Sequence, residues 1–125
     1  MQLIGHELVA YEPLFVVSSE SQIMAGRVNL FDFDKNMIAY ANELNTEFAV
    51  YCSDVSQAII ANAAGAKLII ANELEKAKKF AEFAQFYLFD SKIAYVINDE
   101  VELETLAQNG VDVAIFKKGI DNGDI

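Results

Sequence analysis

Asp32 and Asp34 stand one residue apart in N29-L-F-D-F-D-K-N-M37, where an apolar run gives way to a helical pattern. Paired carboxylates at the end of a strand suit three kinds of chemistry: proton transfer, attack on phosphorus and the holding of a divalent cation. Other polar residues stand at corresponding places along the chain. Ser53 and Asp54 follow one apolar run and Asn72 the next. Asn98 and Asp99 follow a third, with Glu102 a turn later, and Lys117 and Lys118 follow the last. Parallel α/β sheets place ligands at the carboxyl ends of their strands, which makes these residues candidates for a site. A plainer use competes, because strands that lead into helices need N-caps, and Asp, Asn and Ser are the best caps. Capping alone accounts for Asp34, for Ser53 or Asp54, for Asn72 and for Asn98 or Asp99. Asp32 is the residue left over, since a carboxylate ending a buried strand must be paired or reach water.

The elements that would position these residues are legible from 28 onward. Apolar runs at 28–33, 47–52, 67–71, 92–97 and 111–116 read as strands, most of them continuous enough to be buried on both faces. Helical patterns fill 34–45, 54–64, 73–88 and 99–109. Asp54 with Gln57, Asn72 with Glu75, and Asp99 with Glu102 have capping-box spacing, and Gly65 and Gly110 stand where helices end in a left-handed residue. Strand, capped helix, glycine and strand is the grammar of a βαβ unit, and it is written twice over 48–71 and 93–116. Residues 1–27 break the rhythm and bend at Pro13, which suggests an added edge strand or hairpin.

D32-F-D-K-N-M37 resembles the D-x-D-x-T opening of haloacid dehalogenase-like phosphatases. F48-A-V-Y-C-S53 is similar to that family's second element, Lys76, Lys78 or Lys79 to its lysine, and Y95-V-I-N-D-E-V-E102 to its fourth element. The resemblance implies Asp32 as nucleophile and Asp34 as general acid and base. It implies Ser53 and a lysine on the phosphoryl oxygens, and Asp99 and Glu102 helping to hold Mg²⁺. Asn36 stands where the family has Thr, and Ile97-Asn98 where it has Gly-Asp, so the implied site is degenerate. A107-Q-N-G-V-D-V-A-I-F-K-K118 also resembles the close of a receiver domain, with Lys117 in the lysine position. Asn72 stands where that family's phosphate-accepting Asp belongs. A64-G-A-K-L-I-I70 and N109-G-V-D-V-A-I115 suit a (βα)₈ barrel as well. Five strands cannot close one, which ranks that reading third.

Composition excludes other classes. Nineteen acids against nine bases give a net charge of −10, so nucleic acid and anionic membrane are unsuited as partners. The unbroken apolar runs fall far short of the ~20 residues that span a bilayer. His6 and Glu7 interrupt any secretory signal, and a cytoplasmic protein is expected. The single Cys, Cys52, lies in an apolar run and reads as a core thiol. The single His, His6, argues against a His-based triad or metal site. In the helix at 73–88, Leu74, Ala77, Ala81, Ala84 and Leu88 form the expected core stripe. Phe80, Phe83, Phe86 and Tyr87 lie outside it. Either the N-terminal arm covers these aromatics or a second copy does.

The expected fold is one α/β domain over 1–125 with a mostly parallel, doubly wound, Rossmann-like sheet of about five strands. βα repeats occupy 28–116, an extended arm or hairpin 1–27 and a tail, loose beyond Gly119, 117–125. The expected function is a non-catalytic binding or regulatory module that self-associates, with Ser53, Asn72, Asn98 and Lys117 toward a ligand. The alternative is a Mg²⁺-dependent phosphatase with Asp32 and Asp34 catalytic and Asp32, Asp99 and Glu102 at the metal.

Overall fold

Stretches such as Phe48–Cys52 and Leu68–Ala71 have no polar face, so as strands they must be covered on both sides. In the computed structural model, which describes residues 1–122, helices cover one side and the sheet itself covers the other. The strands are β1 (Gln2–Ile4), β2 (Leu14–Val16), β3 (Val28–Asp32), β4 (Phe48–Cys52), β5 (Leu68–Ala71), β6 (Lys92–Ile97), β7 (Val113–Phe116) and β8 (Ile120–Asp121). All pairings are parallel, in the order β1-β7-β6-β5-β4-β3-β2-β8. Helices α1 (Lys35–Glu43), α2 (Val55–Ala63), α3 (Leu74–Tyr87) and α4 (Leu103–Gln108) connect β3 through β7.

Alternation along the strands sorts two cores. Phe31, Phe48, Val50, Ile69 and Ile93 face outward and pack with Met37, Ala61, Phe80 and Leu106, so every helix lies on that face. Leu14, Val28, Leu30, Leu68, Ile70, Val113 and Ile115 face the other way, with Ala49 and Ala94 among them, and among the described residues no helical one joins this cluster. A sheet buries such a face only by curling. β7 and β8 are distant in strand order yet joined by three residues, Lys117–Gly119. Gly5, just after β1, abuts Gly119, just before β8, so closely that a Cβ on Gly5 would lie 2.6 Å from the Gly119 nitrogen. The wall therefore meets itself, and its interior is a packed core.

The α/β class, the parallel pairing and the helix and strand positions from 28 to 116 agree with the sequence. Double winding and a count of about five strands do not. All helices lie on one face, and three strands of two or three residues complete the wall. The arm is no hairpin: β1 lies at one edge against β7, and β2 lies between β3 and β8. The tail beyond Gly119 contributes β8, while 123–125 lie outside the described residues. The core stripe of α3 is Ala77, Phe80, Ala81 and Ala84. Leu88 ends the helix in the left-handed region at φ 54 and leaves the stripe. Phe80 is 1% exposed, which removes it from any contact surface.

Candidate functional site

The inward face of the sheet ends in polar residues at its carboxyl mouth. On β3, Val28 and Leu30 belong to the inner core, and alternation places Asp32 on the same face. On β4, Ala49 is followed by Tyr51, the register partner of Asp32. Val16, Tyr51, Val96, Lys117, Ile120 and Asn122 surround a cavity of about 510 Å³, with Tyr51, Val96 and Ile120 packed on the inner core as its floor. A neighbouring cavity of about 280 Å³ is bordered by Asp32, Tyr51, Ser53, Gln57 and Asn72. A third, of about 360 Å³, is bordered by His6, Asn98, Asp99, Lys117 and Lys118. The four expected ligand residues thus share one end of the sheet: Ser53 and Asn72 beside Asp32, Asn98 and Lys117 beside His6.

Local hydrogen bonding separates the structural polar groups from the available ones. The Asp34 carboxylate accepts from the backbone amides of Asn36 at 2.8 Å and Met37 at 3.1 Å, and so caps α1. Asp54 accepts from the Gln57 amide at 2.8 Å. Gln57 turns back to accept from the Ser53 amide at 2.8 Å and its hydroxyl at 3.0 Å. Asp99 accepts from the Val101 amide at 3.0 Å. Glu102 accepts from the amides of Asn98 at 2.8 Å and Asp99 at 3.0 Å. Asn72 does not cap, because Glu73 takes the N-cap position of α3 without a side-chain bond. Among the described residues, the Asn72 amide and the Asp32 carboxylate have no hydrogen-bond partner, and no ion pair joins Asp32 to Lys117. His6 is committed elsewhere. Its Nδ1 accepts from the Leu8 amide at 3.1 Å, which leaves Nε2 to donate to Glu100 at 3.0 Å.

The structure does not bring Asp32, Asp99 and Glu102 together. Among the described residues, no three His, Cys, Asp or Glu side chains are grouped to hold a metal ion. With Glu102 bonded to two amides, the residues present do not fit a Mg²⁺ site. Burial, and then the nearby charge of Asp32, raise the Tyr51 phenol above its ordinary value of 10.0. Burial, and then Asp54, push the Cys52 thiol up to about 12; Cys52 packs in the helix-facing core and only edges the Asp32 cavity. Tyr51, Val16 and Val96 are the mouth residues that motif reading passed over. Period-two counting forward from Ala49 and Ala94 finds Tyr51 and Val96 once the inner face is known.

The sequence matches no family model, and no curated protein matches it. Among solved structures, FabK from Thermotoga maritima is similar at 18% identity and a TM-score of 0.57, over 71% of this chain and 32% of that one. A thiamine phosphate pyrophosphorylase from Pyrococcus furiosus aligns over 88% of this chain and 89% of that one, at 12% identity and a TM-score of 0.43. The chain thus spans about a third of the length of FabK, and that likeness is one of fold: a mixed α/β architecture.

Proposed function

We propose that this chain is a non-catalytic binding module that takes a small polar molecule at the carboxyl mouth of its curled sheet. One observation carries the reading: the inward face, apolar along its whole depth, ends at a cavity floored by Tyr51, Val96 and Ile120, and Tyr51 also borders the neighbouring cavity, on whose rim Asp32 and Asn72 are uncommitted. Few convergent polar groups over an apolar floor is the usual make-up of a small-molecule site. The module is cytoplasmic, and it self-associates through the exposed aromatics at the end of α3.

The alternative is a degenerate haloacid dehalogenase-like phosphatase with Asp32 as nucleophile. It is favoured by Asp32 and Ser53 bordering one cavity. It is opposed by Asp34 being bound to the amides of its own helix and by Glu102 being bound to two others. Hydrolysis of a phosphomonoester panel by wild type and Asp32→Asn tests the choice. Equal, background-level rates support the binding module. Turnover with Mg²⁺ that Asp32→Asn abolishes establishes the phosphatase.

A further inference from the structure

We infer that the mouth ligand is dipolar: a molecule with a protonated amine at one end and a carboxylate at the other, joined by an apolar spacer. The inference rests on the mouth being a binding site. Asp32 ends β3 and Lys117 follows β7, and three strands lie between them along the wall, which puts the two on opposite sides of the curl. Neither charge is neutralised within the described residues. Tyr51 connects them, because it borders both the Asp32 cavity and the Lys117 cavity.

Ligands of one sign match only half of this arrangement. A free phosphate would find Lys117 and Lys118 but face Asp32 across the mouth. A bare cation would find Asp32 but, among the described residues, no second and third carboxylate grouped with it. A dipolar molecule lays its ammonium against the Asp32 carboxylate, where the Asn72 amide oxygen and Ser53 hydroxyl can also accept. Its anionic end meets the Lys117 ammonium, and its methylenes cross the floor of Tyr51, Val96 and Ile120. Opposite charges at fixed separation also select spacer length, since a spacer too short or too long reaches only one of them.

The test is calorimetric titration of the intact chain with ω-amino acids from β-alanine to ω-aminooctanoate, beside hexanoate, hexylamine and hexanol. One ω-amino acid is expected to bind roughly tenfold or more tighter than its single-charge analogues. Asp32→Asn should erase the advantage over hexanoate, and Lys117→Met the advantage over hexylamine. The Tyr51 ring resonances should shift on binding. If hexanoate, hexylamine or hexanol binds as well as every ω-amino acid while shifting Tyr51, the mouth is a site and the dipolar assignment is wrong. If no probe binds, the reading of the mouth as a site falls with it. Both variants lie on exposed rim positions, and unchanged thermal unfolding verifies that they fold.

Discussion

Tyr51 and Cys52 are adjacent in the chain, yet alternation sends one to the mouth and the other into the helix-facing core. Both hold their protons more tightly than in an unfolded chain. For a raised folded-state pKa, stability is fully present below the unfolded value and is lost as pH climbs toward the folded one. Cys52, raised from 9.0 to about 12, therefore costs stability across that alkaline window. The loss reaches at most about 1.4 kcal/mol per pH unit, and Tyr51 adds to it above 10.0. Urea unfolding at stepped pH should show the decline, and Cys52→Ala should flatten part of it. Native Cys52 should also resist a thiol reagent near pH 8 and react once the chain is unfolded. Asp32 is a separate lever, because its charge is the second cause of the Tyr51 shift. Asp32→Asn should lower the Tyr51 pKa toward its ordinary value without reaching it, since burial remains. Phenolate absorbance in an alkaline titration, read against a Tyr51→Phe control, measures this.

The helix starts could be read from sequence because caps act locally. Asp34, Asp54 and Asp99 bond to amides two or three residues ahead, which is the distance over which the pattern was read. Asn72 had the same spacing and failed, because the N-cap of α3 falls one residue later, at Glu73. Asp54→Ala should therefore cost about 1 kcal/mol in urea unfolding, and Asn72→Ala almost nothing. The short strands were illegible for the opposite reason. β1, β2 and β8 are strands only because β7, β3 and β2 lie beside them in turn, and two or three residues carry no period of their own. Their seam also makes a strong demand on sequence. Gly5 has φ +94 and faces backbone at 2.6 and 2.8 Å, whereas Gly65 has φ +93 and open space. Gly65→Ala should cost about 1 kcal/mol of backbone strain alone. Gly5→Ala adds overpacking against atoms that cannot swing away, for a total of about 2–4 kcal/mol. Equal losses at the two positions would mean that the seam is not closed as described.

At the scale of the whole molecule, double and single winding look alike in sequence. Both need strands apolar on two faces, and nothing in a run such as Leu68–Ala71 says whether a helix or the far wall covers the second face. Long-range closure is equally silent, which is why the mouth residues Tyr51 and Val96 escaped a reading that found Asp32. The curl also decides what is left outside. With the N-terminal segment built into the wall, it does not cover α3, and Phe86, Tyr87 and Leu88 stay 78%, 62% and 83% exposed. A chain of net charge −10 repels its copies over most of its surface. The sequence of α3 is the exception, with Lys76, Lys78 and Lys79 against Glu75 and Glu82. Its bases precede its aromatics. An antiparallel pairing of two copies, centred between Glu82 and Phe83, therefore sets Lys79 against Phe86, which lie seven residues apart on one face of the helix. A two-fold axis repeats the contact, and each copy of it brings a cation toward an aromatic face. Sedimentation velocity should show a concentration-dependent dimer. Phe86→Ser with Tyr87→Ser should yield a monomer, with thermal stability unchanged at dilutions where the wild type is monomeric too, because both side chains face solvent in the single chain. Lys79→Glu should weaken the dimer as well, a result that a purely apolar contact would not give. A wild-type chain that stays monomeric at high concentration would leave these aromatics without a partner of their own kind.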